Sequence, residues 1–240
     1  MKKLKLNKVT KVTSIKELLN LAAKESGDKL AFKYRGKDDR IVQVTYKQFA
    51  EDTEALGTAL STIGMHDKHV AMIGENSYKW LTVYLTVLKS TGVFVPIDKE
   101  LTAKEIINVL KHSDSEVLFY SERYEKWISQ IKEEVPEIKF FIGVDKKQSE
   151  GNELSYEEFK ATGKKLLEQG SRIYLDLKDD ENKLKYLVYT SGTTGTPKGV
   201  MLTEHNLISV VNYGLQVADI KTKCLSVLPY HHTYEAVAGF

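Results

Sequence analysis

Leu184-Lys185-Tyr186-Leu187-Val188-Tyr189-Thr190-Ser191-Gly192-Thr193-Thr194-Gly195-Thr196-Pro197-Lys198-Gly199-Val200 sets a β-rich run directly before a loop of small, hydroxylated residues. Between Tyr189 and Val200 stand three glycines, four threonines, one serine and one lysine. Side chains this small bury little apolar surface, so packing is a poor reason for the run. What it offers is a series of backbone N–H groups, hydroxyls and one cation within a few residues, the set a polyphosphate requires. Gly192, Gly195 and Gly199 permit positive φ and close backbone approach. Ser191, Thr193, Thr194 and Thr196 add hydroxyl donors, Lys198 a mobile charge, and Pro197 stiffens the exit. Composition alone also fits an ordinary surface loop. Two named phosphate motifs fail on spacing. Walker A needs a glycine before the lysine and Ser or Thr after it, where this chain has Pro197 and Gly199. Nor do the three glycines fit G-x-G-x-x-G.

Around this loop, helical and extended patterns alternate. Ser14-Ile15-Lys16-Glu17 reads as a capping box leading into Leu18, Leu19 and Ala22 on one helix face. Leu30 to Tyr34 and Ile41 to Tyr46 read as strands joined by the turn Gly36-Lys37-Asp38-Asp39. Thr45 caps a helix through Phe49, Leu56 and Leu60. Val70 to Ile73 is a buried strand, and Trp80, Leu81, Tyr84, Leu85 and Leu88 make an apolar helix. Val93 to Val95 is a strand expected to break at Pro96. Thr102-Ala103-Lys104-Glu105 is a second capping box. Val117 to Tyr120 is a strand, Tyr124 to Ile131 a helix, Phe140 to Val144 a strand, and Ser155-Tyr156-Glu157-Glu158 caps another helix. The charged stretch from Gly170 to Lys183 reads as linker or surface loop. After it comes a new unit: strand, glycine–threonine loop, strand Gly199 to Leu202, helix from Thr203. Alternation of this kind predicts an α/β fold, a mostly parallel sheet with helices on both faces. The expected organisation is a first α/β subdomain over residues 1–175 and the start of a second over 176–240, carrying the loop.

The bulk composition narrows the classes. The 240 residues are 42% hydrophobic and 28% charged, which suits a packed core. A net charge of +2 is too balanced for a nucleic-acid binder. The basic start, Met1 to Lys8, lacks the apolar run of a signal peptide, and no stretch approaches the roughly 20 apolar residues of a membrane span. Peripheral membrane association stays open. Cys224 is the only cysteine, so no disulfide forms within the chain; a cytoplasmic location is the default and a buried thiol the expectation.

Thr190 to Gly199 resembles, without departure, the Thr-Ser-Gly-Ser/Thr-Thr-Gly-x-Pro-Lys-Gly signature of the adenylate-forming superfamily: acyl-CoA synthetases, adenylation domains of peptide synthetases, and luciferases. Other stretches agree in order and type. Val44-Thr45-Tyr46-Lys47-Gln48-Phe49 is similar to the family's "L-T-Y-x-E-L" element, with Gln48 in place of Glu. Leu88 to Asp98, ending Val95-Pro96-Ile97-Asp98, is similar to "L-K-x-G-x-x-x-V-P-I-D", with one extra residue between Lys89 and Gly92. Leu202-Thr203-Glu204-His205-Asn206-Leu207 resembles the segment after the loop. His231-His232-Thr233-Tyr234-Glu235 is most like the form in bacterial long-chain fatty-acyl-CoA synthetases.

This resemblance implies the front part of the large N-terminal domain of a two-step ligase. ATP and a carboxylic acid, here a fatty acid, give an acyl-adenylate and pyrophosphate; coenzyme A then takes the acyl group. It implies that Tyr189 to Val200 hold the phosphates and that His232, Tyr234 and Glu235 border the acyl–adenylate pocket. It also implies that Mg²⁺ takes its carboxylate, and the reaction its catalytic lysine, from beyond residue 240. On this reading the small C-terminal domain is absent and the chain, a fragment, is inactive alone. A carrier protein as acceptor, or a non-catalytic nucleotide-binding module, are the alternatives. A metal-dependent hydrolase built on His231 and His232 lacks a third ligand at suitable spacing. Glu235 reads equally as a pocket wall or as a first-turn carboxylate. His66, His69, His112 and His205 read as surface or packing residues, and Trp80 and Trp127 as core.

Overall fold

The computed structural model describes residues 6–190, 198–217 and 223–231. Helix α1 (Ile15–Ser26) precedes an antiparallel ribbon of β1 (Leu30–Arg35) and β2 (Ile41–Thr45). Then come α2 (Tyr46–Thr62), β3 (His69–Ile73), α3 (Tyr78–Lys89), β4 (Val93–Ile97), α4 (Ala103–His112) and β5 (Ser115–Tyr120). A 3₁₀ segment Glu122–Trp127 runs into α5 (Ile128–Glu134), followed by β6 (Phe140–Gly143), β7 (Glu153–Ser155) and α6 (Tyr156–Glu168). The chain closes with β8 (Leu184–Thr190), β9 (Lys198–Thr203) and α7 (Glu204–Val217). Among the described residues the main sheet has seven strands in the order β7-β6-β5-β3-β4-β8-β9. All neighbours from β7 to β8 run parallel; β9 returns antiparallel to β8. The expected α/β class and mostly parallel sheet are therefore present, and strands on both sides of residue 176 share one sheet.

Alternation along each strand builds two cores. Val70, Met72, Phe94, Phe119, Tyr186 and Val188 face α1, α2, α3, α6 and α7. Ala71, Ile73, Val95, Leu118, Tyr120 and Leu187 face α4 and α5. Trp80 and Tyr84 each lie edge-to-face with Phe94, at 5.2 and 5.1 Å, and tilted to each other at 5.5 Å on the first side. Burial of each such ring stabilises by about 1.5–3 kcal/mol.

Two helix starts behave as their sequences require. At α2, Thr45 Oγ1 accepts the Gln48 N–H and the Gln48 side chain accepts the Thr45 N–H, so glutamine serves where glutamate is usual. Thr102 and Glu105 do the same at α4. Two others depart. Ser14 caps α1 through the Glu17 N–H, but the Glu17 carboxylate reaches one residue further back, to the N–H and hydroxyl of Thr13. Ser155 makes no side-chain cap, and the reciprocal half of the box is lost as well, since the Glu158 carboxylate accepts from the Ser149 N–H and hydroxyl.

Further differences have local causes. Pro96 lies inside β4, paired with Met72 of β3; toward β8 the ladder has one pair, Phe94↔Tyr186, so an absent N–H is tolerated there. The expected helix Tyr124–Ile131 divides into the 3₁₀ segment and α5, and Trp127 at the junction is half-buried rather than core, with Lys126 Nζ 4.9 Å over its ring. The stretch 170–183 is fastened to the body: Tyr174 is buried and donates to Thr86 O, and Lys16 Nζ donates to Leu175 O and Leu177 O. Cys224 is exposed, not buried, among the described residues.

Candidate functional site

The parallel strands β3, β4, β5 and β8 all end on one edge of the sheet, where α/β folds bind ligands. The segments leaving that edge are Gly74 to Ser77 after β3, Asp98 and Lys99 after β4, Ser121 after β5, and the threonine–glycine loop after β8. Ser191 to Pro197 lie outside the described residues. What the structure fixes is the loop's two ends. Thr190 pairs with Lys198, Tyr189 with Gly199 and Val188 with Val200 across β8 and β9. Cross-strand partners share a face, so Thr190 and Lys198 project on the side of Val188 and Tyr186, under α3 and α7. Thr190, Lys198, Gly199 and Val200 are exposed. Gly199 does not carry the positive φ that its place in the loop suggests. A Cβ there would stand 2.8 Å from Leu187 Cδ1 and 3.4 Å from the Tyr189 ring, so the need is for space.

Tyr189 packs toward the opposite face. Its hydroxyl lies 2.8 Å from His112 Nδ1 at the end of α4, with the rings edge-to-face. Burial, helped by the Asp114 carboxylate, pushes the phenol up to about 12, so it stays neutral at physiological pH. His112, read from sequence as surface or packing, thus braces the first residue of the loop. At the other end, α7 is started by a reciprocal pair: Thr203 N–H donates to Asn206 Oδ1 and Asn206 N–H to Thr203 Oγ1.

His231 is brought to the same edge. Its Nε2 lies 3.2 Å from Asp98 Oδ1, and His231 is nearly buried. Just before it, Tyr230 N–H donates to Asn76 Oδ1 at 3.0 Å, and Asn76 Nδ2 donates to Leu228 O at 2.6 Å. His232, Tyr234 and Glu235 lie outside the described residues. Sequence reasoning overlooked Asn76; its one signal was a polar residue in the turn after a parallel strand, where ligands gather. Among the described residues no three His, Cys, Asp or Glu side chains converge to hold a metal ion, and no helix is long and apolar enough to cross a membrane.

The sequence profile of the AMP-binding enzymes matches residues 19–240. The chain belongs to that family. It is 30% identical to 4-hydroxybutyrate–CoA ligase 2 of Metallosphaera sedula, across 89% of this chain and 39% of the relative. It is 25% identical to the chloroplastic long-chain-fatty-acid–[acyl-carrier-protein] ligase AEE15 of Arabidopsis thaliana, across 95% of this chain and 33% of the relative. The chain thus spans between a third and two fifths of the length of these relatives. The crystal structure of the N-terminal domain of FACL13 from Mycobacterium tuberculosis superposes with a TM-score of 0.78 at 22% identity, covering 94% of this chain and 53% of that one. That likeness concerns the fold.

Proposed function

We propose that this AMP-binding chain carries the triphosphate-binding part of an acid–thiol ligase, with Thr190 to Gly199 as the cradle. The observation that carries the reading is the β8–β9 hairpin. It presents Thr190 and Lys198 side by side, exposed, at the carboxyl edge of the parallel strands. In the first step a carboxylate oxygen attacks the α-phosphorus of ATP, and the bond to pyrophosphate breaks. Charge gathers on the departing β- and γ-phosphates, where loop N–H groups, hydroxyls and the Lys198 ammonium stabilise it. A Mg²⁺ ion bound with the nucleotide would neutralise part of this charge, and no described residue is proposed as its ligand. In the second step a thiolate attacks the acyl carbon and AMP leaves. His232, Tyr234 and Glu235 border the acyl–adenylate pocket. The acid is a fatty acid and the thiol coenzyme A. The 240 residues alone bind nucleotide without turning over; acyl-CoA formation by the isolated chain would refute that part.

The direct test is MgATP binding by calorimetry. Lys198→Ala is expected to weaken it about tenfold or more, the loss of one charge-assisted contact, with the circular dichroism spectrum unchanged. Equal affinity for both chains would remove the cradle assignment. A carrier-protein acceptor is the second reading, supported by the acyl-carrier-protein ligase activity for which the Arabidopsis relative is named. Acyl transfer to coenzyme A or to a phosphopantetheinyl carrier protein, assayed with a protein that contains this chain, separates the two.

A further inference from the structure

The carboxyl edge of the sheet grips a backbone segment from the far end of the chain. The single amide of Asn76 both donates to Leu228 O and accepts from Tyr230 N–H, across sequence separations of 152 and 154 residues. A planar group with a donor and an acceptor at fixed spacing is what such a two-point contact requires. The Tyr230 ring stands edge-on to Trp80 of α3, centroids 5.4 Å apart, and His231 meets Asp98 beyond β4. Contacts from Asn76 after β3, Trp80 of α3 and Asp98 after β4 therefore hold Leu228 to His231. Tyr230 shares its sheet face with Tyr186 and Val188, the face on which Thr190 and Lys198 project.

We propose that Asn76 is a positioning residue for the acid-binding side of the site. It acts through the Leu228–His231 backbone, fixing where that segment sits on the carboxyl edge beside Asp98. This rests on the functional reading above, in which His232, Tyr234 and Glu235, next in the sequence, border the pocket.

The test compares Asn76→Ala with wild type in the 240-residue chain. Amide hydrogen exchange reads the clamp. Binding of MgATP and of an alkyl-sulfamoyl adenosine, a stable mimic of an acyl-adenylate, reads its use. The Tyr230 amide is expected to exchange about tenfold faster, the loss of one to two hydrogen bonds, with Leu187 and Val188 unchanged. The sulfamoyl adenosine is expected to bind about tenfold more weakly, with MgATP within about twofold. Asn76→Asp keeps the acceptor for Tyr230 and loses the donor, so it should fall between the two and guards against a variant that fails to fold. Unchanged Tyr230 exchange overturns the clamp. Faster exchange with both ligands weakened alike, or with neither weakened, overturns the positioning role and leaves the functional reading intact. A wild-type chain that binds neither ligand defeats the functional reading, and the positioning role falls with it, whatever Tyr230 does.

Discussion

Gly163 sets the distance between two helices. A Cβ built on it would stand 1.8 Å from Ala55 O and 2.8 Å from Ala59 N, both backbone atoms of α2. Backbone cannot rotate away, so Gly163→Ala must push α6 off α2. Alanine gains about 0.5–1 kcal/mol over glycine within a helix. Overpacking a tight contact costs about 1–3 kcal/mol, and more where the backbone must move. The steric cost wins, so the urea midpoint of Gly163→Ala should fall by the equivalent of about 0.5–2 kcal/mol, the difference of the two. A midpoint at or above wild type would mean that α2 and α6 part freely. From sequence, Gly163 reads as a weak helix former and nothing more, because the atom it must avoid lies 108 residues away (163 minus 55). Gly199 teaches the same lesson within the site: the loop motif was legible, while the reason for this glycine, room beside Leu187 and Tyr189, waited on the register of β8 and β9.

Elements begin where side chains satisfy the first backbone N–H groups, and Thr102 and Ser155 show that one pattern has two outcomes. Both stand three residues before a glutamate. Thr102 and Glu105 close their reciprocal bonds at the start of α4. Ser155 loses its glutamate to Ser149, gives its own N–H to Ser149 Oγ, and leaves its hydroxyl buried with no hydrogen-bond partner. Thr102→Ala should therefore destabilise by about 1 kcal/mol, the usual worth of a cap. Ser155→Ala should be neutral or slightly stabilising, since an unsatisfied buried hydroxyl costs about 1–3 kcal/mol. Paired urea titrations check both, and equal losses would contradict the assignment. The sequence window could not separate the two helices because Ser149 competes from outside it. Strand β7 was missed for a related reason: three residues, Glu153–Ser155, are too few for a period. The long apolar strands and the capped helices α2 and α4 were legible because their signals are local. Pairing direction at β9 was not, since a strand that follows a loop carries no mark of which way it returns.

At the scale of the whole molecule, the loop we propose as a phosphate cradle is read from one contiguous run, whereas Asn76, Asp98 and His231 at the carboxyl edge come from three separated stretches and meet only in the fold. The opposite end of β8 is tied by a buried pair that no local pattern announces. Lys185 Nζ lies 3.2 Å from Glu204 Oε2, an ion pair whose alignment falls short of a hydrogen bond at that oxygen. The same ammonium donates to Leu88 O and Ser90 O at the end of α3, and Glu204 Oε1 accepts the Ile15 N–H at the start of α1. One pair thus joins the ends of α1, α3 and α7 to the hairpin that carries the loop. Burial raises the Glu204 carboxyl above its ordinary value, with the Lys185 charge opposing the rise. Lys185→Met leaves that carboxylate uncompensated, and breaking a buried pair from one side costs about 3–5 kcal/mol. Lys185→Met/Glu204→Leu removes both charges and should recover the part of the loss due to the unpaired carboxylate, short of about 1 kcal/mol for each backbone group left without its partner, the Ile15 N–H and the Leu88 and Ser90 carbonyls. The sign of the pH dependence follows from the direction of the shift. A carboxyl whose folded-state value is raised favours folding below its unfolded value, and that contribution is lost as pH rises through the folded one. Without Lys185 the rise is larger, so the Lys185→Met penalty should be smaller near pH 4, where Glu204 is largely protonated and the lost bonds to Leu88 O and Ser90 O remain, and grow toward pH 7. Urea titrations of wild type, the single variant and the double variant at both pH values decide it: a penalty independent of pH, or a double variant no more stable than the single, would show that the pair is not what binds the loop's hairpin to the three helices.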